Sequence, residues 1–184
     1  MPLTTTNTSK CILFTACCFD PRLKLGTGCM LVLPAEEMAT LKTCHFEKLS
    51  FETKDFEQIT ASRLELKTTI WALELFKTDA KALKLTVCNN FRATKDLLQR
   101  REKLELTNYA GFRPATTITN AVLFQQFFKL NDRLHFDVLW MGEPAEDAKK
   151  TTPLQPLFKE VVKRADQALK SQLKAQNPVA DKWF

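Results

Sequence analysis

Three short runs of apolar and strand-forming residues open the chain after a polar start: Cys11 to Phe19, Thr27 to Leu33 and Thr43 to Phe51. Turn signals separate them, Asp20-Pro21 after the first and Pro34 with its acidic neighbours after the second. Short connections between strands imply an antiparallel meander. From Ser62 the period becomes helical, with Leu66, Ile70, Leu73 and Lys77 on one stripe and Leu64, Trp71 and Leu75 beside it. A strand over Leu83 to Cys88 follows, then a helix opening near Asn90 and running to about Arg100, then an irregular basic segment from Arg100 to Thr119. Leu123, Phe127 and Leu130 at helical spacing, with Phe124 and Phe128 beside them, predict a helix from Asn120, its expected cap, to about Asn131. Leu134 to Met141 is rich in strand formers. Glu143 to Pro156 holds three prolines and reads as a loop. From Pro156 to about Ala175, Phe158, Val161, Val162, Ala165, Ala168 and Leu169 form one apolar face, and Lys159, Lys163, Lys170 and Lys174 dress the other.

This order predicts an α/β fold built on a five-stranded mixed sheet, three antiparallel strands followed by two parallel ones, flanked by helices. Residues 1–9 and 176–184 read as tails on a single domain spanning 10–175.

Composition narrows the function classes. With 14 phenylalanines and 4 glycines in 184 residues, the interior is expected to be aromatic, with Phe91, Phe124, Phe127 and Phe128 in it. The six cysteines include no CxxC pair. Cys17 and Cys18 are adjacent, and Cys11, Cys29, Cys44 and Cys88 sit in apolar runs, which favours buried thiols over disulfides. Neither Cys17 nor Cys18 has a histidine nearby to activate a thiolate, and His45 and His135 are too scattered for a zinc site. No apolar run approaches the roughly 18 residues of a membrane span. Only Lys10 precedes the run from Cys11, which argues against a signal peptide. The expected location is intracellular, in the cytoplasm. A net charge of +6 permits a polyanionic partner without establishing one.

The stretch Ser62-Arg-Leu-Glu-Leu-Lys-Thr-Thr-Ile-Trp-Ala-Leu-Glu-Leu-Phe76 resembles the first helix of the ribonuclease H-like superfamily, type 1, where Arg-x-Glu-Leu is followed by Ala-Leu-Glu-Ala-Leu. Arg63-Leu64-Glu65-Leu66 and Ala72-Leu73-Glu74-Leu75 match it at the right spacing. Leu85 to Asn90 resembles that family's strand ending in Thr-Asp-Ser, Asn120 to Leu130 its Asn-x-x-Leu-x-x-x-Phe helix, and Val138 to Gly142 its last strand with the Gly-His loop. The likeness spans Lys10 to Leu169.

The resemblance implies a site where four carboxylates hold two divalent metal ions for hydrolysis of nucleic acid. Checked position by position, that site is degenerate. Ala16, in Phe14-Thr15-Ala16-Cys17, stands where the family carries aspartate, and Asn89 stands where the fourth strand ends in aspartate. Glu65 is retained. Glu143 replaces the histidine after the last strand, and Glu160 aligns with the fourth carboxylate to within a residue or more. Asp20 is the best substitute ligand beside Glu65, although with Pro21 it also starts a turn. No cofactor is expected; magnesium or manganese would be needed for activity.

Simpler readings stand beside these. Ser62-x-x-Glu65 is also a capping box, and Asn89 and Asn90 can end a strand and cap the next helix. Arg92, Lys95, Arg100, Arg101, Lys103 and Arg113, with Tyr109, Phe112 and Trp140 as stacking partners, form either a nucleic-acid surface or a solvated face. The leading expectation is a catalytically inactive ribonuclease H-like domain serving as a module that binds RNA, DNA or an RNA/DNA hybrid or assembles a protein complex. The alternatives are a divergent metal-dependent hydrolase of RNA/DNA hybrids and a protein-binding scaffold docking through the tail Asp181-Lys-Trp-Phe184.

Overall fold

A computed structural model describes residues 9–38, 41, 43–76, 83–113, 116–142 and 154–176. Strands β1 (Ser9–Asp20), β2 (Leu25–Pro34), β3 (Glu52–Phe56), β4 (Leu83–Asn89) and β5 (Asp137–Trp140) form one sheet in the order β3-β2-β1-β4-β5, and the short helix α1 (Ala35–Met38) follows β2. β1 and β2 pair antiparallel from Cys11↔Pro34 to Asp20↔Leu25, and β2 pairs antiparallel with β3. β1 pairs parallel with β4, and β4 with β5. This is the mixed sheet expected of the sequence, three antiparallel strands followed by two parallel.

Alternation along β1 divides the interior in two. Leu13 faces a cluster with Leu66, Ile70 and Leu73 of helix α2 (Ala61–Glu74) and Phe124, Phe127 and Phe128 of α5 (Ala121–Leu134). Phe14 and Ala16 face a second cluster with Leu157, Phe158, Val161 and Ala165 of α6 (Leu154–Gln176). With helices on both faces, β1 is buried on both, which is why it reads as a nearly continuous apolar run. Phe127 and Phe136 meet edge to face with ring centroids 5.2 Å apart, and His135 ends α5 in the left-handed conformation, with φ 47°. Among the cysteines, Cys29 and Cys88 are buried free thiols, and Cys11, Cys17 and Cys18 are partly buried free thiols.

Several elements differ from the sequence reading. Thr43 to Phe51 is not the third strand: Thr43–Lys48 is a 3-10 helix, and its neighbourhood turns Phe46, Leu49 and Phe51 onto the α6-side core. The true third strand, β3, is mostly exposed and polar, a charged edge held to β2 by backbone pairing and carrying no apolar alternation to announce it. The helix expected from Asn90 to Arg100 is only the short α3 (Arg92–Lys95), followed by turns. Part of the segment expected to be irregular is helix α4 (Arg101–Leu106). β5 starts at Asp137 because α5 runs on through Leu134. The Ser62 capping box does not form: Thr60 is the N-cap of α2 and makes no side-chain cap bond. Asn120 does precede α5, but its side chain caps nothing, and its Oδ1 is buried without a partner among the described residues.

Candidate functional site

Of the residues singled out by the resemblance, Glu65 and Asn89 meet at the turn where β4 ends, beside the first half of α2. Strand register decides which of them face one another. Cys17 lies opposite Gly28, and a Cβ on Gly28 would meet Thr68 Oγ1 of α2 at 2.5 Å, so Cys17 and Gly28 face α2. Ala16 lies opposite Cys29, and both belong to the α6-side core. Cys17 thus stands on the same side of the sheet as Glu65, and burial together with the Glu65 carboxylate holds its thiol well above the ordinary value. Ala16, matched to the family's aspartate by sequence, points to the other layer.

Asn89 is fully buried, and its two ends differ. Its Oδ1 accepts from the Phe91 N–H at 3.2 Å and from Thr94 Oγ1 at 3.0 Å. Those donors assign the amide orientation, which leaves Nδ2 turned the other way, buried and without a partner among the described residues. Its backbone C=O accepts from Met141 N–H at 2.6 Å, tying β4 to the end of β5. Glu65, half-buried, reaches the same turn: its Oε2 accepts from Ala93 N–H at 3.1 Å. Burial raises the Glu65 carboxyl above its ordinary value, only partly opposed by that hydrogen bond and by Arg92. Two side chains from different elements thus hold residues 91–94, the entry to α3. Thr15 and Thr68, both fully buried, bring hydroxyls to the α2 side of the sheet that have no partner among the described residues.

This donor set does not fit a pair of divalent cations. Hard cations require oxygen ligands, mostly carboxylates. Here the Asn89 Oδ1 is taken by the turn and its other end is an N–H donor, Cys17 on the α2 side of β1 offers a thiol, and Glu65 is the one carboxylate among these residues. Among the described residues no three His, Cys, Asp or Glu side chains come together as a metal would need.

The other candidates lie apart. Asp20 Oδ1 accepts from the Arg22 and Leu23 N–H groups at 2.8 and 2.9 Å, closing the β1–β2 turn. Glu160 sits on α6, across the sheet from α2, and pairs within its helix with Arg164 at 3.0 Å and Lys163 at 3.4 Å. Glu143 and the tail 181–184 lie outside the described residues.

The basic residues divide into engaged and free. Arg101 forks onto Asp132 of α5, with Nη2 donating to Oδ2 at 2.9 Å, and its Nε donates to Glu105 at 2.7 Å. The fork raises the Arg101 value and lowers that of Asp132. Lys95 Nζ lies 4.2 Å over the Trp140 ring, so the two engage each other. Arg92, Arg100, Lys103 and Arg113 are exposed, and among the described residues none of them makes an ion pair. Tyr109 is no stacking partner: its ring belongs to the α2-side core. Phe112 is fully exposed.

Sequence reasoning missed Asp132, 31 residues from Arg101, for which no local signal exists. It also missed Thr15 and Thr68, although Gly26-Thr27-Gly28 did carry a signal, since two glycines on one face of a strand mark a close approach.

Comparison with sequence families and with curated proteins finds no match. Solved structures do match. One is the foamy viral protease-reverse transcriptase in complex with dsDNA, at TM-score 0.54 and 6% identity, over 91% of this chain and 99% of that one. Another is LC9-RNase H1, described as a type 1 RNase H with the type 2 active-site motif, at TM-score 0.59 and 16% identity, over 90% of this chain and 74% of that one. At such identities the likeness is one of fold.

Proposed function

Because the chain has the ribonuclease H-like fold, we propose that it is a nucleic-acid-binding module of that fold that does not cleave its ligand. The observation that carries this reading is the use made of Asn89 and Glu65: both hold the turn at residues 91–94. The Asn89 Oδ1 is taken by that turn, and its other end is a buried N–H donor, which no cation can use as a ligand. Fold alone does not give function, so binding rests on charge. Between residues 92 and 113 stand six cationic side chains against three acidic ones, and among the described residues only Arg101 of the six makes an ion pair. The dsDNA bound by the foamy viral neighbour supports a nucleic acid as the partner class.

The test is to incubate the protein with an end-labelled RNA/DNA hybrid in magnesium and in manganese, beside Glu65→Gln, and to titrate binding against salt. The expected result is intact hybrid, with log Kd linear in log salt. Changing Arg100 and Arg113 to Ala should lower the slope by roughly 0.7 to 0.9 per lost phosphate contact. Cleavage that disappears in Glu65→Gln would overturn the non-cleaving reading. Salt-independent or absent binding would overturn the nucleic-acid reading.

A further inference from the structure

Phe112 is the most exposed large apolar side chain among the described residues. The described residues on either side of it are held by hydrogen bonds. Thr107, Asn108 and Tyr109 N–H groups close the end of α4 onto Lys103, Glu105 and Leu104 carbonyls at 2.8 to 3.1 Å. Asn108 and Tyr109 are consecutive left-handed residues at φ 47° and 55°, a conformation costly for non-glycine residues. Ala110 pairs with Thr117 across a bridge, Gly111 N–H donates to Thr116 O at 2.7 Å, and the buried Tyr109 ring anchors the base. These bonds fix the backbone leading to the Phe112 ring, which stands fully exposed to water.

Two open grooves flank Phe112 and Arg113. Thr107, Asn108 and Ala110 line one side, and Ile118 and Thr119 the other. Hydroxyls, an amide and one guanidinium line them beside Ala110, Gly111 and Ile118, and among the described residues no acidic side chain does. Lys103 stands one helical turn before Thr107. The neighbouring groove along α4 differs, since Glu102 and Glu105 line it and would repel a phosphate backbone. One guanidinium and neutral hydrogen-bonding groups beside an open ring, with Lys103 one helical turn before the loop, match a polyanion with flat bases better than a protein surface. In a duplex the base faces are covered by their neighbours; in a single strand they are open.

We propose that Phe112 is a stacking platform for an unpaired base of single-stranded nucleic acid, with Arg113 and Lys103 on the adjoining phosphates. The proposal rests on the nucleic-acid reading above and names the ligand class. Stacking on an aromatic ring requires only a base face, so the contact is tolerant of sequence.

The experiment is fluorescence anisotropy with a labelled oligothymidine strand of about 12 nucleotides and a mixed-sequence duplex of equal length. Wild type is compared with Phe112→Ala, Phe112→Leu and Phe112→Trp. Phe112→Ala and Phe112→Leu should each weaken single-strand binding by about 5- to 100-fold, leaving duplex affinity and the salt slope unchanged. Phe112→Trp should keep the affinity and show quenching on binding beyond that of the three native tryptophans. Wild-type affinity in Phe112→Ala, or in Phe112→Leu, would overturn the stacking role. If Lys103→Ala and Arg113→Ala weaken binding while Phe112→Ala does not, stacking fails and the nucleic-acid reading stands. If wild type binds neither strand form, both fail, and the exposed ring belongs to a protein contact.

Discussion

Glu65 of α2 holds a turn that belongs to another element. Its carboxylate is half-buried and accepts from Ala93 N–H, and burial raises its titration above the ordinary glutamate range. An acid with a raised folded-state value binds its proton more tightly when folded. Its contribution is therefore favourable below the ordinary glutamate value and is lost as pH rises through the folded value. Glu65→Gln keeps a carbonyl acceptor for Ala93 and removes the charge. It should match or exceed wild-type stability at pH 7, with the two curves converging below about pH 4. Glu65→Ala leaves the Ala93 N–H without its acceptor and should lose about 1 kcal/mol. Urea denaturation from about pH 3 to 8 checks both, and a Gln variant as unstable as the Ala variant would show that the charge itself holds the turn.

At the scale of elements, the close seat of α2 on β2 decides what the sheet tolerates. A Cβ at Gly28 would stand 2.5 Å from Thr68 Oγ1 and 2.7 Å from its Cγ2. Gly28→Ala should therefore cost about 1–3 kcal/mol as an overpacking change. Thr68→Ala removes both contacting atoms, so in that background the same substitution should cost less than half as much. Denaturation of the four proteins measures the coupling; strictly additive costs would place the clash elsewhere. The helix itself was legible in the sequence because 14 residues repeat an apolar stripe from Leu66 to Leu73 and match a family helix. β3 was not legible, because Glu52, Thr53, Lys54 and Asp55 are an exposed edge whose place is set by pairing with β2. The site was half legible. Glu65 and Asn89 were found by motif, but the motif match put Ala16 beside them, and only the β1–β2 register shows that Ala16 faces α6 and Cys17 faces α2. Arg101 counted as a free cation until the fold brought Asp132 to it.

Across the whole molecule, a single sheet separates two cores, and adjacent residues of one strand, Leu13 and Phe14, belong to different ones. Neither layer can lose its packing without exposing a face of β1, which argues for one cooperative unit over the described residues from β1 to α6. Leu73 of α2 and Leu157 of α6 are both fully buried, one on each face. Changing either to Ala should cost about 2–5 kcal/mol through lost burial and the cavity left behind. Each variant should show a lower urea midpoint with an unchanged slope. With the sheet between them, the two effects should add to within about 0.5 kcal/mol, read in a stabilising osmolyte so that the double variant still folds. If Leu157→Ala instead splits the transition, with near-ultraviolet and far-ultraviolet signals moving apart, the α6 layer melts as a unit of its own. The sheet would then be a floor on which one helix layer folds without the other.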